Sequence, residues 1–292
     1  MQEKEENKNI KKIKIGFFGT PEYAVTTLEK LYNKNYEIAF LITMPDKPQG
    51  RKMIITPPPA KVWAIKHNIP VLQPEKLKDD NLIENLKRYE CDVFIVIAYG
   101  KIIPDSILNI PKAKSINIHA SILPKLRGSC PIETAILEDE KHTGVTIMRM
   151  DSEMDHGPII AQKEVSIENW PPTAEVLGNE IVNIGSDLLI SILPDWVNGS
   201  IKENEQDHSQ ATYTKKIEKE YGLIDFNDNP YKNYLKIQAY SGWPSAFFFI
   251  EDKNKKKIRI KITKASFNNG ILTIEKVIPE GKKEILYKDL II

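Results

Sequence analysis

At 292 residues and 41% hydrophobic, the chain is long enough to bury a substantial core, as one large domain plus a smaller one. Its two cysteines, Cys91 and Cys130, lie far apart and in no metal-ligand spacing, which argues against a disulfide or zinc framework. The formal net charge of +1 conceals a split: residues 208–292 hold sixteen Lys and Arg against ten Asp and Glu, leaving 25 against 30 before them. That asymmetry suggests an anionic partner at the C-terminal part, set against the plainer reading of a solvated, lysine-rich surface.

The N-terminal MQEKEENKNIKK lacks the apolar segment of a secretory signal and reads as a disordered leader. No apolar run in the sequence approaches the ~18 residues needed to cross a bilayer. The expectation is a cytoplasmic protein with no membrane partner.

Ile13 to Phe18 is a strand-type apolar run, followed by Gly19-Thr20-Pro21 and a helix over 22–33 that Pro21 is placed to start. A second buried strand covers 38–43, so the spacing predicts a parallel βαβ unit whose ligand end lies at the strand C-termini. Gly16 and Gly19 do not complete a dinucleotide fingerprint, and Gly19 reads as a tight-turn residue. Residues 44–59, MPDKPQGRKMIITPPP, read as a proline-rich basic loop without regular structure. Lys47, Arg51 and Lys52 within it are candidates for phosphate contact, or simply solvated. Helices are expected over 60–68, with Trp63 inward, and over 79–88, with a short extended piece at 71–74 between them.

Residues 92–99, DVFIVIAY, form the most apolar strand and belong at the centre of a sheet. The next strand, 115–119, alternates: Ile116 and Ile118 face one way, Asn117 and His119 the other. A lone strand histidine is usually structural. Paired with an asparagine on one face at a strand's C-terminal end, it points to function. Ser121 to Pro131, with two prolines, a glycine and two basic residues, reads as an ordered loop around a cleft. Strands at 143–150 and 159–166 flank an acidic turn carrying Asp155, an aspartate that taken alone serves backbone hydrogen bonding. Residues 173–193 carry an amphipathic helix.

From Trp196 the chain turns polar, and a linker is placed at 196–209 between a domain at 12–195 and another at 210–292. The second domain holds a helical stretch at 230–240 and several short strands, a pattern that suggests a small β-barrel. Seven basic residues and no acid lie between Lys253 and Lys264. Lys257, Arg259 and Lys261 form a basic ridge if they share a strand face, or protect a solvated edge.

The segments GFFGTPEYA, TMPDKPQGR, VLQPEKL, VIAYGKIIP, SINIHASILPKLRGSCPI, TGVTIMRMDSEMDHGPII and TYTKKIEKEYGLIDF together resemble the methionyl-tRNA formyltransferase family of folate-dependent formyltransferases, over nearly the full chain. The resemblance implies an α/β, Rossmann-like formyltransferase domain with a mostly parallel sheet, followed by a small OB-like β-barrel domain that binds tRNA. It implies formyl transfer from 10-formyltetrahydrofolate to methionyl initiator tRNA. A monomer is expected, and no metal is required, since the acceptor amine is already a good nucleophile when neutral. By motif position it assigns Asn117, His119 and Asp155 to catalysis, and Ser121, Ile122, Leu123 and Pro124 to the folate site. It places Arg51 against the tRNA acceptor stem. Two positions depart from the family pattern: Gln238 stands where relatives often carry Arg, and Ile122 replaces Leu. A sugar-nucleotide N-formyltransferase using the same donor is the alternative.

Overall fold

The structure, a computed structural model, describes residues 12–50, 52–251, 253 and 255–290. The leader expected at residues 1–11 and the candidate Arg51 lie outside the described residues.

Strand β1 (Lys14–Gly19) and helix α1 (Glu22–Asn33) lead into β2 (Glu37–Ile42), which pairs parallel to β1. Gly19 ends β1 without a left-handed backbone. A Cβ there would lie 2.6 Å from Cβ of Ala24, so close packing of strand on helix demands this glycine, not a tight turn. The basic loop that follows is not wholly irregular. It contains a small antiparallel hairpin, β3 (Lys47–Gln49) with β4 (Ile54–Thr56), closed by Gly50 in the left-handed region. The β-branched Ile54, Ile55 and Thr56 favour a strand, and Pro48 is tolerated because the hairpin is all edge.

Helix α2 (Pro59–Lys66) carries Trp63 inward, 7% exposed, and β5 (Val71–Leu72) adds to β2. Helix α3 (Asp80–Arg88) is capped by Asp79, whose carboxylate accepts the Leu82 N–H at 3.1 Å. Strand β6 (Val93–Ile97) is buried along its whole length and pairs parallel with β1 and with β7 (Ser115–His119), after the short helix α4 (Asp105–Leu108). Helix α5 (Pro131–Leu137) precedes β8 (Thr143–Arg149) and β9 (Ile159–Val165), which join antiparallel at the far edge. The sheet order is β5-β2-β1-β6-β7-β8-β9. Chain direction across the sheet reverses between β1 and β6, and a cleft forms outside the strand C-termini at such a switch point.

Helix α6 (Ala174–Val197) is long and apolar enough by length and composition to cross a membrane, which corrects the expectation that no segment approaches that length. Leu177, Ile181, Leu189 and Leu193 are fully or almost fully buried, and α6 packs on α1, β8 and β9. Its apolar face therefore covers the sheet. The helix also takes in Trp196 and Val197, the first residues of the expected linker.

The C-terminal part sets α7 (Pro230–Ala239) against α5 and lays down the antiparallel order β10 (Phe247–Glu251), β11 (Lys257–Asn268), β12 (Ile271–Pro279), β13 (Ile285–Leu286). Register shifts near Lys264 interrupt the long β11 ladder, and bulges of this kind bend and coil a small sheet. Ile260, Ile262 and Val277 pack there with Phe248 as a separate core. The two parts are joined at α7: the Tyr231 hydroxyl donates to Asp139 at 3.0 Å, and the Gln238 amide donates to the Pro171 carbonyl at 2.9 Å. The neutral Gln238 thus serves in a domain contact.

Candidate active site

Residues from the ends of β6 and β7, the start of α5 and the β8–β9 turn line a cleft of about 540 Å³. Asn117, His119 and Asp155 all face it. On β7, the alternation that buries Ile116 and Ile118 delivers Asn117 and His119 to the cleft together. Asp155 comes from the β8–β9 connection, with a left-handed backbone (φ 51°).

His119 is 5% exposed, and its Nε2 lies 3.0 Å from the Leu126 carbonyl oxygen. A carbonyl only accepts, so Nε2 carries the hydrogen, and Nδ1 is the nitrogen turned to Asp155 Oδ1 at 3.6 Å. The other oxygen, Oδ2, accepts the Gly128 N–H at 2.7 Å. Asp155 is thereby anchored by backbone through one oxygen and free to address His119 through the other. The side-chain amide of Asn117 has no hydrogen-bond partner among the described residues, so its donors remain available to a bound group.

The loop 121–131 is held from behind by the segment expected to be a linker. Arg127, 1% exposed, donates from Nη2 to Gln206 Oε1 at 2.6 Å and lies 2.8 Å from His208 Nδ1. The Gln206 amide nitrogen in turn donates to the Asp155 and Gly157 carbonyls at 2.9 and 2.7 Å. Backbone bonds run from Arg127 N–H to the Thr212 carbonyl and from Thr214 N–H to the Arg127 carbonyl, at 2.8 and 2.7 Å. Gly128, at φ 116°, occupies a backbone region closed to most L-residues, and a Cβ would meet Thr214 Oγ1 at 2.5 Å. Residues 203–214 are therefore a strap that fixes the cleft loop. Arg127 and Gln206 were not singled out in the sequence. The available signal was an arginine beside a glycine in a loop already read as ordered.

Ser121, Ile122, Leu123 and Pro124 do not line the cleft. Ser121 donates to the Lys125 carbonyl at 2.6 Å, and Leu123 exchanges hydrogen bonds with Thr146 and Gln162 on β8 and β9. Ile122 packs by Gly144. The cleft wall instead comes from 96–103, including Val96, Tyr99 and Ile103, and from Met150 and Met154. Burial pushes the Tyr99 hydroxyl up to about 12, so it stays neutral in this wall.

Lys47 and Lys52 stand exposed on the β3–β4 hairpin, while Lys257, Arg259 and Lys261 lie two apart on β11. Arg259 is tied down: its guanidinium sits 3.9 Å from the Phe247 ring centroid and donates to the Pro244 carbonyl at 3.2 Å. Lys257 is exposed.

Residues 11–193 match the family described as Formyl transferase, and residues 216–276 match its C-terminal domain. A mostly parallel sheet with this cleft, and both matches in order, define a formyl transferase. The chain is 42% identical to a methionyl-tRNA formyltransferase of Sulfurihydrogenibium sp. (strain YO3AOP1), covering 88% of this chain and 82% of that one. It is 38% identical to a methionyl-tRNA formyltransferase of Thermodesulfovibrio yellowstonii, covering 95% and 94%. The chain belongs to the methionyl-tRNA formyltransferase family. The fold is shared with a crystal structure of a sugar 3N-formyl transferase in the presence of dTDP and 5-N-formyl-THF, at 24% identity and a TM-score of 0.62, covering 88% and 87%.

Proposed function

We propose that this cleft transfers a formyl group from 10-formyltetrahydrofolate to the α-amine of methionine on initiator tRNA, for translation initiation. The observation that carries the reading is the convergence of Asn117, His119 and Asp155 in one cleft, in a chain of this family. The largely apolar wall at 96–103, with Met150 in the same lining, suits a flat ring and favours placing the folate there. Ser121 to Pro124 then support the cleft from behind.

The donor supplies a formyl carbon bonded to a nitrogen that must depart with the bonding electrons. Asn117 donates to the formyl oxygen as it becomes an oxyanion, a contribution worth on the order of 10²–10³ in rate. Because the Nε2–H of His119 is committed to Leu126, Nδ1 takes the proton from the attacking amine. Asp155 Oδ1 stabilises the ring while Nδ1 is protonated. The proton then passes to the folate nitrogen as its bond to the formyl carbon breaks.

Single-turnover transfer to methionyl-tRNA tests these assignments. Asn117→Ala, His119→Ala and Asp155→Ala are each expected to slow it by at least ~10²-fold. Near-wild-type rates in all three variants would overturn the site.

A further inference from the structure

The steps above leave one acid of the cleft without a task. Glu133, in the first turn of α5, lines the same cleft as Asn117, His119 and Asp155. Burial pushes its carboxyl above the usual carboxylate range, opposed only by its own backbone N–H. Among the described residues no side chain hydrogen-bonds to it and no cation pairs with it.

The other acids of the lining are accounted for. Asp151 faces His156 Nδ1 at 2.8 Å, Asp155 holds the Gly128 N–H, and Glu153 is exposed. Lys101, the lysine of the lining, donates to the Pro74 and Glu75 carbonyls at 2.9 and 2.8 Å. Facing Glu133 are Tyr23 from α1, itself beside Glu175, and Tyr240 after α7, itself beside Cys130. Both hydroxyls are shifted upward by burial, and none of these groups is a cation. A desolvated carboxylate without a counter-cation is costly, so the missing charge belongs to whatever enters the cleft.

Resting on the function proposed above, the acceptor is a primary amine that arrives largely as an ammonium ion below its ordinary pKa of about 7.7. We infer that Glu133 is the subsite for the acceptor's ammonium group, pairing with it and taking one of its protons. The ammonium N–H bond breaks, an O–H bond forms on Glu133, and the freed lone pair makes the new bond to the formyl carbon. The second proton leaves the nitrogen through His119 to the departing folate nitrogen. Glu133 later releases its proton to solvent, which matches the one proton set free when an ammonium becomes an amide.

The test is Glu133→Gln, which keeps shape and removes charge, in single-turnover transfer to methionyl-tRNA at saturating donor from pH 6.5 to 9. The expected loss is on the order of 10²-fold at pH 6.5, shrinking to a few-fold at pH 9, where the acceptor arrives neutral. Binding of 5-formyltetrahydrofolate should be unchanged. The same variant should raise Tm at pH 8. A carboxyl with a raised folded pKa costs stability above the unfolded pKa of about 4.3, and that gain should vanish at lower pH. A wild-type rate at every pH, a loss independent of pH, or an unchanged Tm would overturn the inference. A wild-type protein that formylates no aminoacyl-tRNA would overturn the functional reading beneath it, before any variant is compared.

Discussion

Arg127 is fully buried, and among the described residues its side-chain partners are Gln206, His208 and Tyr213, with no carboxylate. Its burial is offset because its donors are met by fixed acceptors, above all Gln206 Oε1. The other end of Gln206 holds the carbonyls on either side of His156, so one amide joins the buried cation to the backbone that presents Asp155. Gln206→Ala should therefore destabilise the protein by ~2–3 kcal/mol, the usual cost of hydrogen bonds to a buried charged group. Urea unfolding measures this, and a change under ~0.5 kcal/mol, the range of an ordinary surface substitution, would show that the strap does not depend on Gln206. Transfer rate should fall too, since Asp155 loses its support.

Among the elements, those with strong local signals are the ones the sequence foretold. The strand at 115–119 and the helix at 22–33 match in both bounds, because alternation and a proline start leave little choice. The buried strands at 14–19 and 93–97 came within a residue or two, their ends being set by neighbours and not by their own composition. The β3–β4 hairpin was hidden by Pro48, Gly50 and four further prolines in 44–59, although the β-branched run at 54–56 was visible. The strap at 203–214 was hidden for a different reason. Its residues are polar and exposed on average, and their role lies in contacts to residues some eighty positions earlier, which no local pattern records. The same holds for the cleft. Asn117 and His119 were legible from residue type and strand position and Asp155 through the family resemblance, whereas the wall at 96–103 and Glu133 became visible only when the sheet brought them beside these three.

The charge split belongs to the whole molecule. Residues 208–292 carry a net +6, and strand β11 within them places Lys257 and Lys261 on one side. If that face meets a phosphate backbone, Lys257→Ala with Lys261→Ala should lower the slope of log affinity for tRNA against log salt by ~2, about one for each phosphate left without its lysine. An unchanged slope would make these lysines the guards of a solvated strand. The hairpin cations Lys47 and Lys52 stand elsewhere, beyond the end of β2. The choice of acceptor is not decided by Asn117, His119 and Asp155, because the chemistry proposed for them formylates any primary amine placed at the formyl carbon.

The most direct measurement therefore offers the wild-type protein 10-formyltetrahydrofolate with two acceptors in parallel, methionyl initiator tRNA and an amino-sugar nucleotide, and follows where the formyl group goes. Transfer to the methionyl-tRNA and none to the sugar is the expected result. Formyl appearing on the sugar nucleotide alone would contradict it.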